Sequence, residues 1–84
     1  MEAFNYCHIT TNATTTVSSN YTGVLHSVVI NTTANGTITI SDAKGTIAVI
    51  KASVLEGTYL YDVCYSGPLR VVNATTGDIT VTYL

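Results

Sequence analysis

The sequence predicts an all-β protein, a small antiparallel β-sandwich or compressed jelly roll of seven or eight short strands. Four times a glycine opens a run of alternating apolar and small polar residues, at Gly36, Gly45, Gly57 and Gly77. Glycine tolerates the backbone angles of turns, and alternation sends successive side chains to the two faces of a strand. No stretch has helical periodicity, and turn residues recur at the short spacing typical of sandwiches.

Each element follows from a local pattern. The first strand ends at Ile9, and the threonine-rich stretch after it is either a strand or an extended arm. Residues 23–31 are nearly continuous in apolar side chains, which predicts a central strand covered on both faces. Asn35 and Gly36 signal a turn, and residues 42–45 predict the turn of a hairpin. The predicted strand spans are residues 3–9, 10–16, 23–31, 37–41, 46–51, 58–66, 69–73 and 79–84.

Length and charge limit the possible partners. Eighty-four residues predict one domain over residues 1–84, with residues 1–20 as a candidate N-terminal arm. Only three residues are Lys or Arg and five are Asp or Glu, so we expect part of the surface to be buried against copies of the chain or another protein. Three cations exclude nucleic acid and an anionic membrane as partners. The N-terminal residues lack the pattern of a secretory signal, which predicts synthesis in a cytoplasm.

The chemistry-bearing residues do not form a catalytic or metal-binding pattern. Cys7, His8, His26 and Cys64 lack the spacing of a metal site, so neither a metal nor another cofactor is predicted. Ser27 adjoins His26, but alternation points the two side chains apart, and we therefore predict that the protein is not an enzyme. Cys7 and Cys64 could pair across neighbouring strands, although buried free thiols are favoured in a cytoplasm.

The tyrosines of the sixth predicted strand are the candidate interface residues. Alternation places Tyr59, Tyr61 and Tyr65 on one face of that strand. A half-buried row of tyrosines is typical of an oligomer interface, with a sugar-binding platform as the alternative.

Residues 23–84 resemble the short virion proteins of tailed bacteriophages. The segments that carry the resemblance are GVLHSVVINTTANGTITI at residues 23–40, GTYLYDV at 57–63 and GDITVTY at 77–83. They are most similar to small capsid decoration, or cement, proteins, which bind the outside of an assembled head. This resemblance implies a structural protein of the virion capsid surface, a homotrimer between capsomers with the major capsid protein as partner and residues 10–20 laid over the shell. A tail, neck or fibre component and a carbohydrate-binding adhesion module are the alternatives.

Overall fold

The protein folds into eight β-strands. The structure is a computed structural model that describes residues 4–10, 12–33, 35–73 and 77–84. The strands are β1 (Asn5–Ile9), β2 (Thr14–Ser18), β3 (Thr22–Thr32), β4 (Ile38–Asp42), β5 (Gly45–Ile50), β6 (Gly57–Ser66), β7 (Leu69–Asn73) and β8 (Asp78–Tyr83). Within the described ranges no helix is long and apolar enough to cross a lipid bilayer.

The strands form two antiparallel four-stranded sheets. Sheet A has the order β1-β8-β3-β6 and sheet B the order β2-β7-β4-β5. Only the β4–β5 connection stays within one sheet, and every other connection passes from one sheet to the other. Two interleaved sheets of this order make a jelly roll, which confirms the predicted β-sandwich.

The core lies between the sheets because alternate residues of each strand point inward. In sheet A, Val28 pairs with Val81 on one side and Tyr59 on the other, and Ile30 pairs with Ile79. The buried apolar side chains are Ile9, Val17, Leu25, Val28, Ile30, Ile38, Ile40, Ile50, Tyr65, Leu69, Val71, Ile79 and Val81. β3 is a central strand, as the apolar run predicted, but the second sheet covers only its inner face, so the predicted cover on both faces is wrong.

Asp42 closes the predicted hairpin between β4 and β5. Its Oδ1 accepts hydrogen bonds from the backbone N–H groups of Lys44 (2.9 Å) and Gly45 (3.1 Å), and its Oδ2 accepts one from Ser66 at 2.9 Å. The bond from Ser66, with smaller contributions from the turn, lowers the pKa of Asp42 below its ordinary value of 3.8. The same carboxylate therefore shapes the turn of sheet B and ties it to the end of β6.

Tyr65 fixes the chain end to the core. Its hydroxyl donates to the carbonyl oxygen of Leu84 at 2.8 Å and is hydrogen-bonded to Ser18 Oγ at 2.9 Å. A phenol has one proton, so the Ser18 hydroxyl supplies the proton of the second bond. Tyr65 is paired with Gly23, and a Cβ atom at residue 23 would lie only 2.5 Å from the Tyr65 hydroxyl oxygen. Glycine at this position makes room for the ring.

The N-terminal segment and the cysteines differ in detail from the sequence predictions. β1 and β2 are edge strands of the two sheets, so the described part of residues 1–20 belongs to the sandwich. Residues 1–3, 11, 34 and 74–76 lie outside the described residues; residue 3 belongs to the first predicted strand and residue 11 to the second. Cys7 on β1 and Cys64 on β6 are both free thiols on opposite edges of sheet A, and Cys64 is exposed.

Candidate protein interface

The outer face of sheet A, here called face A, is crossed by a row of four residues from four strands. Tyr6 pairs with Thr82, Thr82 with Ser27, and Ser27 with Leu60. The hydroxyls of Ser27 and Thr82 are hydrogen-bonded to each other at 2.6 Å in the middle of this row. Because these two hydroxyls are hydrogen-bonded to each other, the row has an uncharged centre between its two large end residues, Tyr6 and Leu60.

A second row lies beside the first and ends in a hydrogen-bonded histidine. His8 pairs with Thr80, and its Nε2 lies 2.5 Å from Asp78 Oδ1. Asn31 Nδ2 donates to Asp78 Oδ1 at 3.0 Å and to Thr80 Oγ1 at 3.1 Å. The bonds from Asn31 and then His8 lower the pKa of Asp78 below 3.8. This network fixes the side chains of β1, β3 and β8 relative to one another.

An irregularity in β3 places a second histidine on face A. The ladder register shifts between Leu25 and Ser27, so His26 has no paired residue in the neighbouring ladders. This irregularity places His26 and Ser27 on the same face, so the prediction from strict alternation that their side chains point apart is wrong. His26 Nδ1 lies 2.5 Å from Asp62 Oδ1, and Asp62 has a positive φ of 50°. The ring of Phe4 stacks on the imidazole, with centroids 3.9 Å apart and planes 8° apart, although β8 separates β1 from β3. The bulge thus turns the His26 side chain toward the outer surface of the sheet, as bulges commonly do.

Face A exposes large apolar side chains in a setting with little charge. Tyr6 is 72% exposed, Leu60 66% and Phe4 43%. The four strands of sheet A contain no lysine or arginine. The two carboxylates on this face, Asp62 and Asp78, are each bonded to a histidine. Such a surface is suited to contact with protein, because its apolar groups gain from leaving water and its polar groups are already paired.

The outer face of sheet B, here called face B, is built mainly of hydroxyl and aliphatic side chains. One row consists of Thr14, Val72, Thr39 and Val49, and the next of Thr16, Arg70, Ser41 and Thr46. Val49 is 54% exposed and Val72 40%. Arg70 is the one charged side chain in these two rows.

The three tyrosines proposed from the sequence lie on the opposite side of β6 from Leu60. Tyr65 is fully buried and has no surface to offer a partner. Tyr59 and Tyr61 are partly buried and pack against the core. Desolvation, with a smaller effect of Tyr59, raises the pKa of Tyr61 above 10.0, and the Tyr59 hydroxyl donates to the Leu55 carbonyl oxygen at 2.6 Å. An interface role for Tyr59 and Tyr61 stays a prediction.

The sequence did not single out Phe4, Tyr6 or Leu60 as interface residues. The alternation of β6 did place Leu60 opposite the tyrosines, beside Asp62 and Cys64, and a leucine in that outward series was the available signal. The contact of Phe4 with His26 depends on strand order, which local patterns do not reveal.

No constellation for chemistry is present in the part of the chain that the structure describes. Those residues contain no group of three His, Cys, Asp or Glu side chains that could hold a metal ion. They also enclose no pocket of a size that a small ligand could enter. The His8–Asp78 and His26–Asp62 pairs therefore lie on an open surface and not in a pocket.

Comparison with known proteins finds a solved structure with a similar fold. No family model matches the sequence, and no curated protein matches it. The chain is similar in structure to the core of Drosophila NLP, with a TM-score of 0.68 and 16% identity. The similarity covers 99% of this chain and 97% of the NLP core, a protein described as forming pentamers and binding histones. At this identity the likeness establishes the shared fold.

The comparison overturns the function predicted from the phage resemblance. The similar structure found, the NLP core, is described as forming pentamers and binding histones, so the predicted capsid decoration function is wrong. The major capsid protein as partner and the homotrimer are wrong on the same finding. The tail, neck or fibre role and the carbohydrate-binding module gain no support from it either.

Proposed function

We propose that the protein is a non-enzymatic assembly module whose copies associate into a closed ring of five. The observation that carries this proposal is face A, where Tyr6, Leu60 and Phe4 expose apolar surface around a neutral, hydrogen-bonded centre. Burying one leucine side chain is worth about 1.5–3 kcal/mol, so leaving such groups in water is costly for a domain this small. The fivefold number comes from the structural likeness to the NLP core, which forms pentamers.

Histone binding is not part of this proposal. Histones are strongly basic, so a surface that binds them needs carboxylates free to meet lysine and arginine. This chain has five Asp or Glu residues in all. Asp42 accepts three backbone hydrogen bonds, and Asp62 and Asp78 are each bonded to a histidine. The chemistry of the surface favours a second copy of the chain over a basic partner.

A pair of matched variants tests the proposal. Leu60 and Leu55 are both exposed leucines, but Leu60 lies on face A and Leu55 precedes β6 in a loop. We expect Leu60→Lys to shift the solution mass from the ring to a single protomer of 8.9 kDa, because the ammonium group would have to be desolvated in the contact. Leu55→Lys should keep the wild-type mass. Equal masses for the two variants, or a wild-type chain that is already monomeric, would contradict the proposal.

A further inference from the structure

Both histidines of the chain lie on face A, and each is hydrogen-bonded to a carboxylate. His8 Nε2 lies 2.5 Å from Asp78 Oδ1, and His26 Nδ1 lies 2.5 Å from Asp62 Oδ1. The chain has two histidines in all. Histidine ordinarily changes its charge between about pH 5 and pH 8, whereas an aspartate carboxyl is ionised throughout that range. The charge of face A therefore changes with pH at these two pairs.

The other side chains of sheet A do not offset this change. Its four strands contain no lysine or arginine, and their remaining titratable groups are tyrosines and two cysteines. Of these, Tyr6 and Cys64 lie on face A, and phenol and thiol groups ordinarily ionise above this pH range. The carboxyl of Glu56, which immediately precedes β6, is of a type that stays ionised across the range. The two histidines thus control the charge of the face.

Protonation changes the charge of each pair and keeps its hydrogen bond. A neutral imidazole and an imidazolium can both donate an N–H group to a carboxylate. A pair with a neutral histidine carries one unit of negative charge, and a pair with a protonated histidine carries none. The formal net charge of the whole chain is −2 with neutral histidines, and protonation of both brings it to zero.

We infer that the ring assembles more tightly when His8 and His26 are protonated, so that acidification from about pH 8 to about pH 5 strengthens the contact through face A. This inference rests on the proposed ring. The side chain of Asp62 is 60% exposed and that of Asp78 36%, so a neighbouring copy would remove water from both carboxylates. Desolvation of an unbalanced charge costs more than desolvation of a neutral ion pair. Repulsion between copies of like net charge adds to this cost when the histidines are neutral.

Light scattering over a dilution series at about pH 5 and about pH 8 measures the effect. At the higher pH the wild-type chain should need a roughly tenfold higher concentration to form the ring, the size expected for two partly exposed ion pairs in each chain. The measured mass separates the ring from nonspecific association near the pI of 5.3, because a closed ring stops at five copies.

Two double variants should behave in opposite ways. His8→Gln with His26→Gln keeps a donor beside each carboxylate but cannot gain a proton, so it should assemble weakly at both pH values. Asp62→Asn with Asp78→Asn has uncharged pairs at the higher pH and positive ones at the lower pH, so acid should weaken its ring. Asparagine tolerates the positive φ of residue 62. Lys51→Gln, which changes the net charge next to β5 of sheet B, is the control and should keep the wild-type pH dependence.

The outcomes separate failure of this inference from failure of the ring. A wild-type ring that forms at the same concentration at both pH values, or more readily at the higher one, would overturn the inference and leave the ring standing. Wild-type pH dependence in the double glutamine variant would do the same. A wild-type chain that is monomeric at both pH values would overturn the ring. Circular dichroism at both pH values shows which variants fold, and the wild-type comparison needs no variant.

Discussion

The ring of Tyr65 occupies the space that a side chain at Gly23 would need. The two residues are paired between β6 and β3, and a Cβ at residue 23 would come within 2.7 Å of Tyr65 Cζ. The backbone carbonyl of Leu84 approaches the same position even more closely. A glycine in one strand, the tyrosine across from it and the end of the chain therefore form one packed unit.

Replacing Gly23 with alanine should destabilise the fold. The added methyl group meets both the aromatic ring and backbone, so the strands must shift, and overpacking of this kind costs about 1–3 kcal/mol. Urea denaturation measures the change in the free energy of unfolding. In the background of Tyr65→Phe, which removes the hydroxyl oxygen that would lie 2.5 Å from the added methyl group, the cost should be smaller. A Gly23→Ala chain as stable as wild type would contradict the packing described here.

The Tyr65→Phe variant should also be less stable than wild type. It removes the hydrogen bond to the Leu84 carbonyl and leaves the buried Ser18 hydroxyl without its tyrosine partner. The expected cost is about 1–2 kcal/mol, from the lost bond and the poorly satisfied polar group. Hydrogen exchange should show faster exchange of the Leu84 amide, which bonds to the Val24 carbonyl oxygen. Unchanged stability and unchanged exchange would show that the hydroxyl has no structural role.

Acid should weaken the fold through Asp42 and Asp78. Hydrogen bonds lower the pKa of both carboxyls in the folded chain below the ordinary value of 3.8. The stability they provide is fully present above pH 3.8 and is lost as the pH falls through the lowered folded values. Asp42→Asn should be less stable than wild type near pH 7, and the difference should shrink at lower pH. Denaturation curves at several pH values test this, and a difference that stays constant with pH would contradict it.

The thiols should react at different rates and should not pair within one chain. Cys64 is exposed on β6, whereas Cys7 is partly buried and packs against the core on the other edge strand of sheet A. Three strand spacings of about 4.8 Å separate the edges, which is too far for a disulfide. Brief alkylation of the folded Leu60→Lys variant, which we expect to be a single protomer, should label Cys64 first, as mass spectrometry of peptides would show. Loss of two hydrogens from a monomer on oxidation would contradict this placement.

Much of the fold follows from local patterns in the sequence. Alternation and turn residues predicted the β-sandwich, the central position of β3 and the hairpin closed by Asp42. Strand β7 (Leu69–Asn73) has the bounds predicted for it. These features depend on neighbours in the chain, so a local pattern contains most of the information that determines them.

The candidate interface was harder to predict from the sequence, because it depends on which strands are neighbours in the sheet and on the register of their pairing. Tyr6 and Leu60 belong to one row only because β8 and β3 lie between their strands. His26 reaches face A through an irregularity in the ladder that no local motif marks. The tyrosines of β6 were correctly grouped on one face, but only the packing of two sheets shows that this face points inward and buries Tyr65.

The solution mass of the wild-type chain is the most direct test of assembly through these surfaces. Light scattering across a hundredfold dilution should give a mass near five times 8.9 kDa at the higher concentrations. A closed ring of five leaves no contact surface free, so the assembly should not grow beyond that mass. A mass of 8.9 kDa at every concentration would contradict self-assembly, and the exposed Tyr6 and Leu60 would then need a different explanation.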